Sequence, residues 1–396
     1  MQSDSTNPSQ KSAKSGRFSG LLYTEGKLDK PMLWILLLLL AFGSVMVFSA
    51  SYAYALHRYG DSYYFIRQQI VFAVAGVVVM LAASLVDYRV IRKYAPIAYA
   101  FTLLCLAAVL IMGTAAGVAK RWLYIGGFGF QPTEIAKFTV VLILAWYISN
   151  HQAQITDYGD FKTSSLYGVL YPVLILGMAL LLILLENHFS GLIIVFCIGM
   201  VIIFVGGARK IWLLASGGAA LSGILVVLLF TNYAKTRIDV WLHPENYSLQ
   251  GEVWQTLQGL YAVGNGGLLG VGLGNSSQKH LYVSAPQNDF IFSIVCEELG
   301  FAGAVAVITL FLLFIWRGFV IAMHAPDTFS QLVAIGIVSH VAIQAILNIM
   351  VVTAMIPNTG ITLPFFSYGG SALLMLLGEV GILLGISRHM YRDRTT

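Results

Sequence analysis

Ten stretches of this chain are apolar and long enough to cross a lipid bilayer, and no other feature restricts the possible folds as much. They lie near residues 32–51, 69–87, 94–113, 133–149, 165–185, 190–206, 211–231, 290–316, 329–356 and 369–387. A helix needs about 20 apolar residues to span the hydrocarbon core. The first run is followed by Ala53-Tyr54-Ala55, as a cleaved signal would be, but it is too long for a signal peptide and further spans follow, so it is expected to be retained. Only 10% of residues are charged, against about 25% in a soluble domain. That is too few to cover a water-facing surface. The expected fold is therefore an all-α integral membrane protein of about ten transmembrane helices. A tail at 1–31, rich in Ser, Gln, Asn and Lys, is expected to be disordered. A membrane domain at 32–390 and a short tail at 391–396 follow.

Lys and Arg set the expected orientation. With the N-terminus inside, the cytoplasmic segments hold fifteen of the 23 basic residues, among them Lys27, Lys30, Arg89, Arg92, Lys93, Arg209, Lys210, Arg317 and Arg388. An even number of spans then puts both termini in the cytoplasm. The net charge of +5 is spent on these short loops and does not point to nucleic acid. Cys105, Cys197 and Cys296 lie in apolar runs without metal-ligand spacing and read as small buried hydrophobes. No internal repeat of fixed period is visible, which weakens a transporter built from inverted repeats.

Four outer segments carry the unusual chemistry. The first, from Gly113 to Lys137, contains Lys120-Arg121-Trp122 and FQPTEIAK, residues 130–137. Glu134 and Lys137 are i and i+3 on one helix face. They read either as a structural ion pair or as a site in which Glu134 positions Lys137 for an anion. The second is the turn Leu185 to Gly191, where Glu186 and His188 are either solvated caps or acid–base groups.

The third, a long extracellular loop at 232–289 between helices seven and eight, includes Lys235, Arg237, the glycine-rich run from Gln255 to Gly274, Ser277-Gln278-Lys279 and Pro286-Gln287-Asn288-Asp289. A loop of this length tends to be functional, and its glycines allow close backbone approach. Asp289, at the start of an apolar span, is either the N-cap of helix eight or a functional acid. Glu297 and Glu298 follow inside the same apolar run and are expected to pair within the bundle. The fourth segment, Ile356 to Ser371, has two prolines and three glycines. It is expected to make either a rigid re-entrant turn or a plain interfacial connection.

The order RW…FQPTEIAK, a glycine loop with SQK, PQNDFIF…CEELG and PNTGITLPFFSYGGS resembles the SEDS family, whose members FtsW, RodA and SpoVE serve bacterial division, elongation and sporulation. The resemblance covers about residues 30–390. Thr362 in GITLP and the long N-terminal tail place it nearer the FtsW/SpoVE branch. One departure is Glu186-Asn187-His188-Phe189-Ser190, where the family often has a proline–aspartate pair.

The resemblance implies a peptidoglycan glycosyltransferase that joins lipid II, an undecaprenyl-diphosphate-linked disaccharide pentapeptide, into β-1,4 glycan strands at the outer face of the bacterial cytoplasmic membrane. It implies Asp289 as the essential aspartate, Glu134 and Lys137 as the fourth-helix pair, and Arg121 as the arginine before the tryptophan. Asp289 would be the base, with inversion at the anomeric carbon. Lys137, Arg121, Arg237 and Lys279 are candidates for the diphosphate, and Gln278 and Ser367 for further substrate contacts. A divalent cation such as Mg or Mn could share the charge, but no ligand set for it, or for any other cofactor, is identified in the sequence. The implied partners are a class B penicillin-binding protein transpeptidase and other divisome or elongasome membrane proteins. Two other classes remain, a lipid II flippase and a non-catalytic scaffold of a cell-wall complex.

Overall fold

The computed structural model describes residues 27–116, 119–125, 128–157, 159–209, 232–247 and 253–390, with parts of 211–223. The expected seventh span at 211–231, the tail before residue 27 and the tail at 391–396 lie largely or wholly outside the described residues. Among the described residues, eight helices are long and apolar enough to cross a membrane. They are α1 (Lys30–Tyr59), α2 (Tyr64–Ala83), α3 (Tyr88–Met112), α4 (Pro132–Asn150), α5 (Phe161–Leu185), α9 (Ile291–Met323), α10 (Thr328–Val352) and α11 (Gly370–Ser387). A shorter apolar helix, α6 (Phe189–Val205), lies between α5 and the loop helices α7 (Asn232–Leu242) and α8 (Trp254–Asn265).

Local signals explain the helix ends. Asp29 accepts a hydrogen bond from the Met32 amide at 2.9 Å, Pro31 occupies the first turn, and Gly60 closes α1 in the left-handed region. Asp87 caps α3, and Asp327 and Ser330 form a capping box on α10. Composition alone places several ends too early or too late: α1 runs on to Tyr59, α2 begins at Tyr64, and α9 continues to Met323. Within this helical fold, among the described residues, there is one small sheet. The outer segment after α3 folds into a three-stranded antiparallel sheet, β1 (Thr114–Ala116), β2 (Ala119–Ile125) and β3 (Phe128–Phe130). Its glycines and alternating aromatics suit a tight meander better than a helix.

The helices pack in two interlocked groups. α2 lies on α11 and α3 on α4, while α9 packs against α1 and α10. α4, α10 and α11 are the most enclosed of the spans. One end of the bundle is closed by ion pairs: Arg317 holds Asp29, and Arg92 approaches Asp327 at 3.7 Å and donates to Asn150 at 2.7 Å. All four chemistry-bearing segments are at the other end.

α9 is broken one third of the way along, where Gly300 takes φ 66° and ψ −164°. The break frees backbone groups that a membrane cannot solvate. The glycine loop supplies their partners. Val271 and Gly272 amides donate to the Glu297 and Glu298 carbonyls at 3.0 and 2.9 Å, while the Phe301 and Ala302 amides donate to the Gly267 and Leu268 carbonyls at 2.9 and 3.1 Å. A Cβ at Gly266 would collide with the Cys296 carbonyl, and one at Gly270 with that of Glu298. The expected pairing of the two acids is also met. Glu298 binds Lys279 at 2.6 Å and accepts from Ser49 at 2.6 Å, and Glu297 accepts from Ser276 and Ser277. Gly300→Ala combines a left-handed backbone with a clash against Gly270, so it should cost about 2 kcal/mol or more. Thermal unfolding of the detergent-solubilised protein measures this as a lowered midpoint.

Candidate functional site

Proline at the start of α4 fixes the helix entry, and the i, i+3 spacing then brings Glu134 Oε2 to 2.7 Å from Lys137 Nζ. Lys137 is 3% exposed. Its second partner comes from α10, where Gln344 Oε1 accepts from Nζ at 2.9 Å. Gln344 in turn donates through Nε2 to the Thr362 carbonyl at 3.0 Å and to its hydroxyl at 3.1 Å. A cavity of about 30 Å³, room for a water molecule or two, lies beside this group. Glu134, His340, Gln344, Thr362, Ser367 and Tyr368 are among its lining residues.

Asp289 sits one turn of α10 away. Asn348 Nδ2 donates to both the Asp289 and Ile361 carbonyls at 2.7 Å. The preceding residues are fastened to the re-entrant segment: Ser367 donates to the Asn288 carbonyl at 2.6 Å, and the Tyr368 amide to that of Gln287 at 2.8 Å. Ser367 thus braces the loop. The N-cap of α9 is Phe290, without a side-chain cap bond, so the Asp289 carboxyl is not used as the cap that sequence alone allowed. It is half-buried beside Gly360. Burial raises its pKa above the usual carboxylate range, against the opposing charge of Arg237. Arg237, on α7, donates to the Asn358 carbonyl, which places its guanidinium at the same mouth.

The α5–α6 turn joins this assembly. Arg121, on β2, donates to the Asn187 carbonyl at 3.4 Å, and Ser190 donates to the Thr359 carbonyl. Glu186 and His188 are buried rather than solvated and both meet Thr133, at 3.4 and 3.1 Å. Desolvation lifts Glu186 to about 8, with the Thr133 hydroxyl and Arg121 opposing. Desolvation, then the charges of Arg121 and Lys137, push His188 down to about 3.

The structure therefore brings Asp289, Arg121, Glu134, Lys137, Arg237 and Ser367 to one mouth. Gln278 and Lys279 belong elsewhere. Lys279 is fully buried between Glu298, Ser49 and the ring of Tyr52, 4.7 Å from the ring centre, and the buried Gln278 donates its main-chain N–H to Glu297. That placement corrects their reading as substrate ligands: the Lys279 charge neutralises an acid inside the bundle. Four residues of the site have no counterpart in the sequence reading: His340, Gln344, Asn348 and Glu379. Their signal is a stripe of polar residues every four positions along apolar α10, and a single acid inside α11. Among the described residues, no three His, Cys, Asp or Glu side chains come together to hold a metal ion.

The sequence model of the FtsW/RodA/SpoVE family, described as "Cell cycle protein", matches residues 30–392. Stage V sporulation protein E of Bacillus subtilis is 40% identical over 363 residues, covering 91% of this chain and 97% of that protein. The probable peptidoglycan glycosyltransferase FtsW of Trichlorobacter lovleyi is 37% identical, covering 91% and 93%. Among solved structures, a chain of a peptidoglycan synthase complex that coordinates polymerization and crosslinking superposes with a TM-score of 0.74 at 26% identity, covering 92% of this chain and 99% of that one. The rod shape determining protein RodA of Thermus thermophilus gives a TM-score of 0.68 at 25% identity, covering 92% and 98%.

The Glu186 turn yields a pH test. Its folded pKa of about 8 exceeds the ordinary 4.5, so the stability it confers is complete below 4.5 and lost as pH rises through 8. His188 is depressed from 6.5 to about 3, so its contribution is lost as pH falls below 6.5. The two oppose each other between those limits. From pH 6.5 to 8.5 His188 no longer contributes to the change and the Glu186 loss acts, so Glu186→Gln should reduce the decline of the thermal midpoint over that interval. Midpoints of both proteins across the range decide it.

Proposed function

The chain belongs to the FtsW/RodA/SpoVE family of cell cycle proteins, and from that premise we propose that it is a peptidoglycan glycosyltransferase that polymerises lipid II into β-1,4 glycan strands. The observation that carries this reading is the pairing, on one helix, of a proton-avid carboxyl with a buried ammonium: Asn348 holds Asp289 by its backbone, and Gln344 holds Lys137.

In this reading an acceptor sugar hydroxyl attacks the anomeric carbon of the donor. The new carbon–oxygen bond forms as the bond to the diphosphate breaks, with inversion. Asp289 takes the hydroxyl proton, and desolvation makes its carboxylate a stronger base than an exposed aspartate. The diphosphate leaves with its electron pair and needs neutralised charge rather than a second acid. Lys137, Arg121 and Arg237 supply it as preorganised cations at the mouth. Glu134 and Gln344 hold the ammonium, while Lys279 and Gln278 secure the glycine loop.

The site faces the non-cytoplasmic side of a bacterial cytoplasmic membrane, with both termini inside. Two features support this: basic residues predominate in the segments opposite the site, and the polar motifs share one end of the bundle. A class B penicillin-binding protein transpeptidase is the partner, in keeping with the synthase complex among the structural relatives.

Polymerisation of labelled lipid II by the purified complex tests the proposal. Wild type should make long glycan strands, and Asp289→Asn, correctly inserted and folded, should lose at least about 10²-fold in rate. Near-normal strands from that variant would remove Asp289 from the base role. Lipid translocation without polymer would mark a flippase. Lys137→Ala should lower turnover by about 10²-fold, whereas unchanged turnover would leave Lys137 with a packing role alone.

A further inference from the structure

Below the Lys137 group, a second buried pair has no role in the proposed chemistry. His340 is one turn along α10 from Gln344, and its Nε2 lies 3.0 Å from Gln344 Oε1. Its Nδ1 lies 2.8 Å from Oε2 of Glu379 on α11. Both side chains are almost wholly buried, at 3% and 1% exposure. An acid and an imidazole in the enclosed centre of a membrane bundle are costly, and apolar residues of similar volume often do as well or better in stability.

Hydrogen-bond complementarity assigns the protons. Lys137 Nζ can only donate, and the Thr362 carbonyl can only accept. Gln344 therefore has one orientation, with its oxygen toward Lys137 and its amide nitrogen toward Thr362. That same oxygen faces His340 Nε2, so Nε2 must carry a proton. The Gln344 oxygen selects the Nε2–H form, and Nδ1 must then either accept from a protonated Glu379 or, in an imidazolium, donate to its carboxylate. In either case Glu379 anchors the ring through Nδ1 and keeps Nε2–H directed at Gln344.

We propose that His340 and Glu379 are positioning residues for the Lys137 ammonium, acting through the Gln344 carboxamide. Glu379 anchors the His340 ring through Nδ1, His340 donates to Gln344, and Gln344 keeps its oxygen on the lysine. If the ring turns out of that plane, Gln344 loses its second donor and the carboxamide can rotate. Its NH₂ would then oppose an ammonium, and Lys137 would shift toward Glu134. This inference rests on the glycosyltransferase reading above.

The test uses the full chain with its transpeptidase partner and lipid II. Glu379→Leu leaves Nδ1 without a partner and the ring free to turn, and it should lower kcat by about tenfold, less than the roughly 10²-fold that a 1 Å misplacement can cost. KM should stay within about twofold, as expected when the lost interaction matters in the transition state. Adding His340→Gln to Glu379→Leu supplies an amide donor that does not depend on a partner at Nδ1, and it should restore kcat to within about threefold of wild type. His340→Leu with Glu379→Leu replaces the pair by apolar side chains, so it should fold at least as well as the single variant and remain slow.

Full kcat in Glu379→Leu or in the double leucine variant would overturn the proposal. So would a variant combining His340→Gln with Glu379→Leu that is no faster than Glu379→Leu alone. If Glu379→Leu does not fold, the comparison of the two double variants decides the matter. A wild-type complex that makes no glycan would instead sink the glycosyltransferase reading, and this role with it.

Discussion

Lys137 is an ammonium ion enclosed by helices, and the arrangement of the site follows from what such a charge requires. In a low-dielectric interior it must have an opposite charge and further acceptors, or it loses its proton. Glu134 alone would balance the charge and pull the lysine up along its own helix. Gln344 adds a neutral acceptor from another direction, so the ammonium is held between α4 and α10. A neutral amide satisfies a donor without cancelling its charge, which leaves that charge available to an anion.

The glycine loop solves a related problem for the backbone. A loop that reaches the level of a membrane helix needs partners for its own amides, and a helix interrupted at Gly300 needs partners for its freed carbonyls. Each supplies the other. The Glu297–Ser276 and Glu298–Lys279 contacts pin the returning chain to the same turn of α9. Since Asp289 lies at the beginning of α9, the loop fixes the upper part of the helix that carries it. Glycines needed there for close approach look, in the sequence, like those of any flexible loop.

Much of this is legible from residue order. The apolar runs give the helices, and the depth of Glu134, Lys137 and Asp289 marks them as unusual. Lys279 is misread for a physical reason: a lysine in a polar loop looks solvent-facing, and only the fold reveals that the loop dips to Glu298. His340, Gln344 and Asn348 escape notice because span detection averages over a window, and three polar residues in a long apolar run barely lower the mean. Their four-residue spacing is the available signal, since it puts them on one face. The meander after α3 stays hidden because β1 and β3 have only three residues each and the segment reads as one more glycine-containing connection between apolar runs.

That stripe also explains how Asp289 and Lys137, the base and the cation of the proposed reaction, could cooperate without touching. Asn348 and Gln344 are four residues apart, about 6 Å of helix rise. α10 therefore acts as a ruler, its upper mark on the Asp289 backbone and its lower mark on Lys137. A reaction that removes a proton from one substrate while releasing a diphosphate from another needs two such points at a fixed offset, and a loop could not hold them as well as a buried helix does. The re-entrant segment contributes to both marks, through the Ile361 carbonyl at the upper and Thr362 at the lower. Its prolines and glycines thus serve rigidity: they present carbonyls to α10 that a regular helix would have kept for itself.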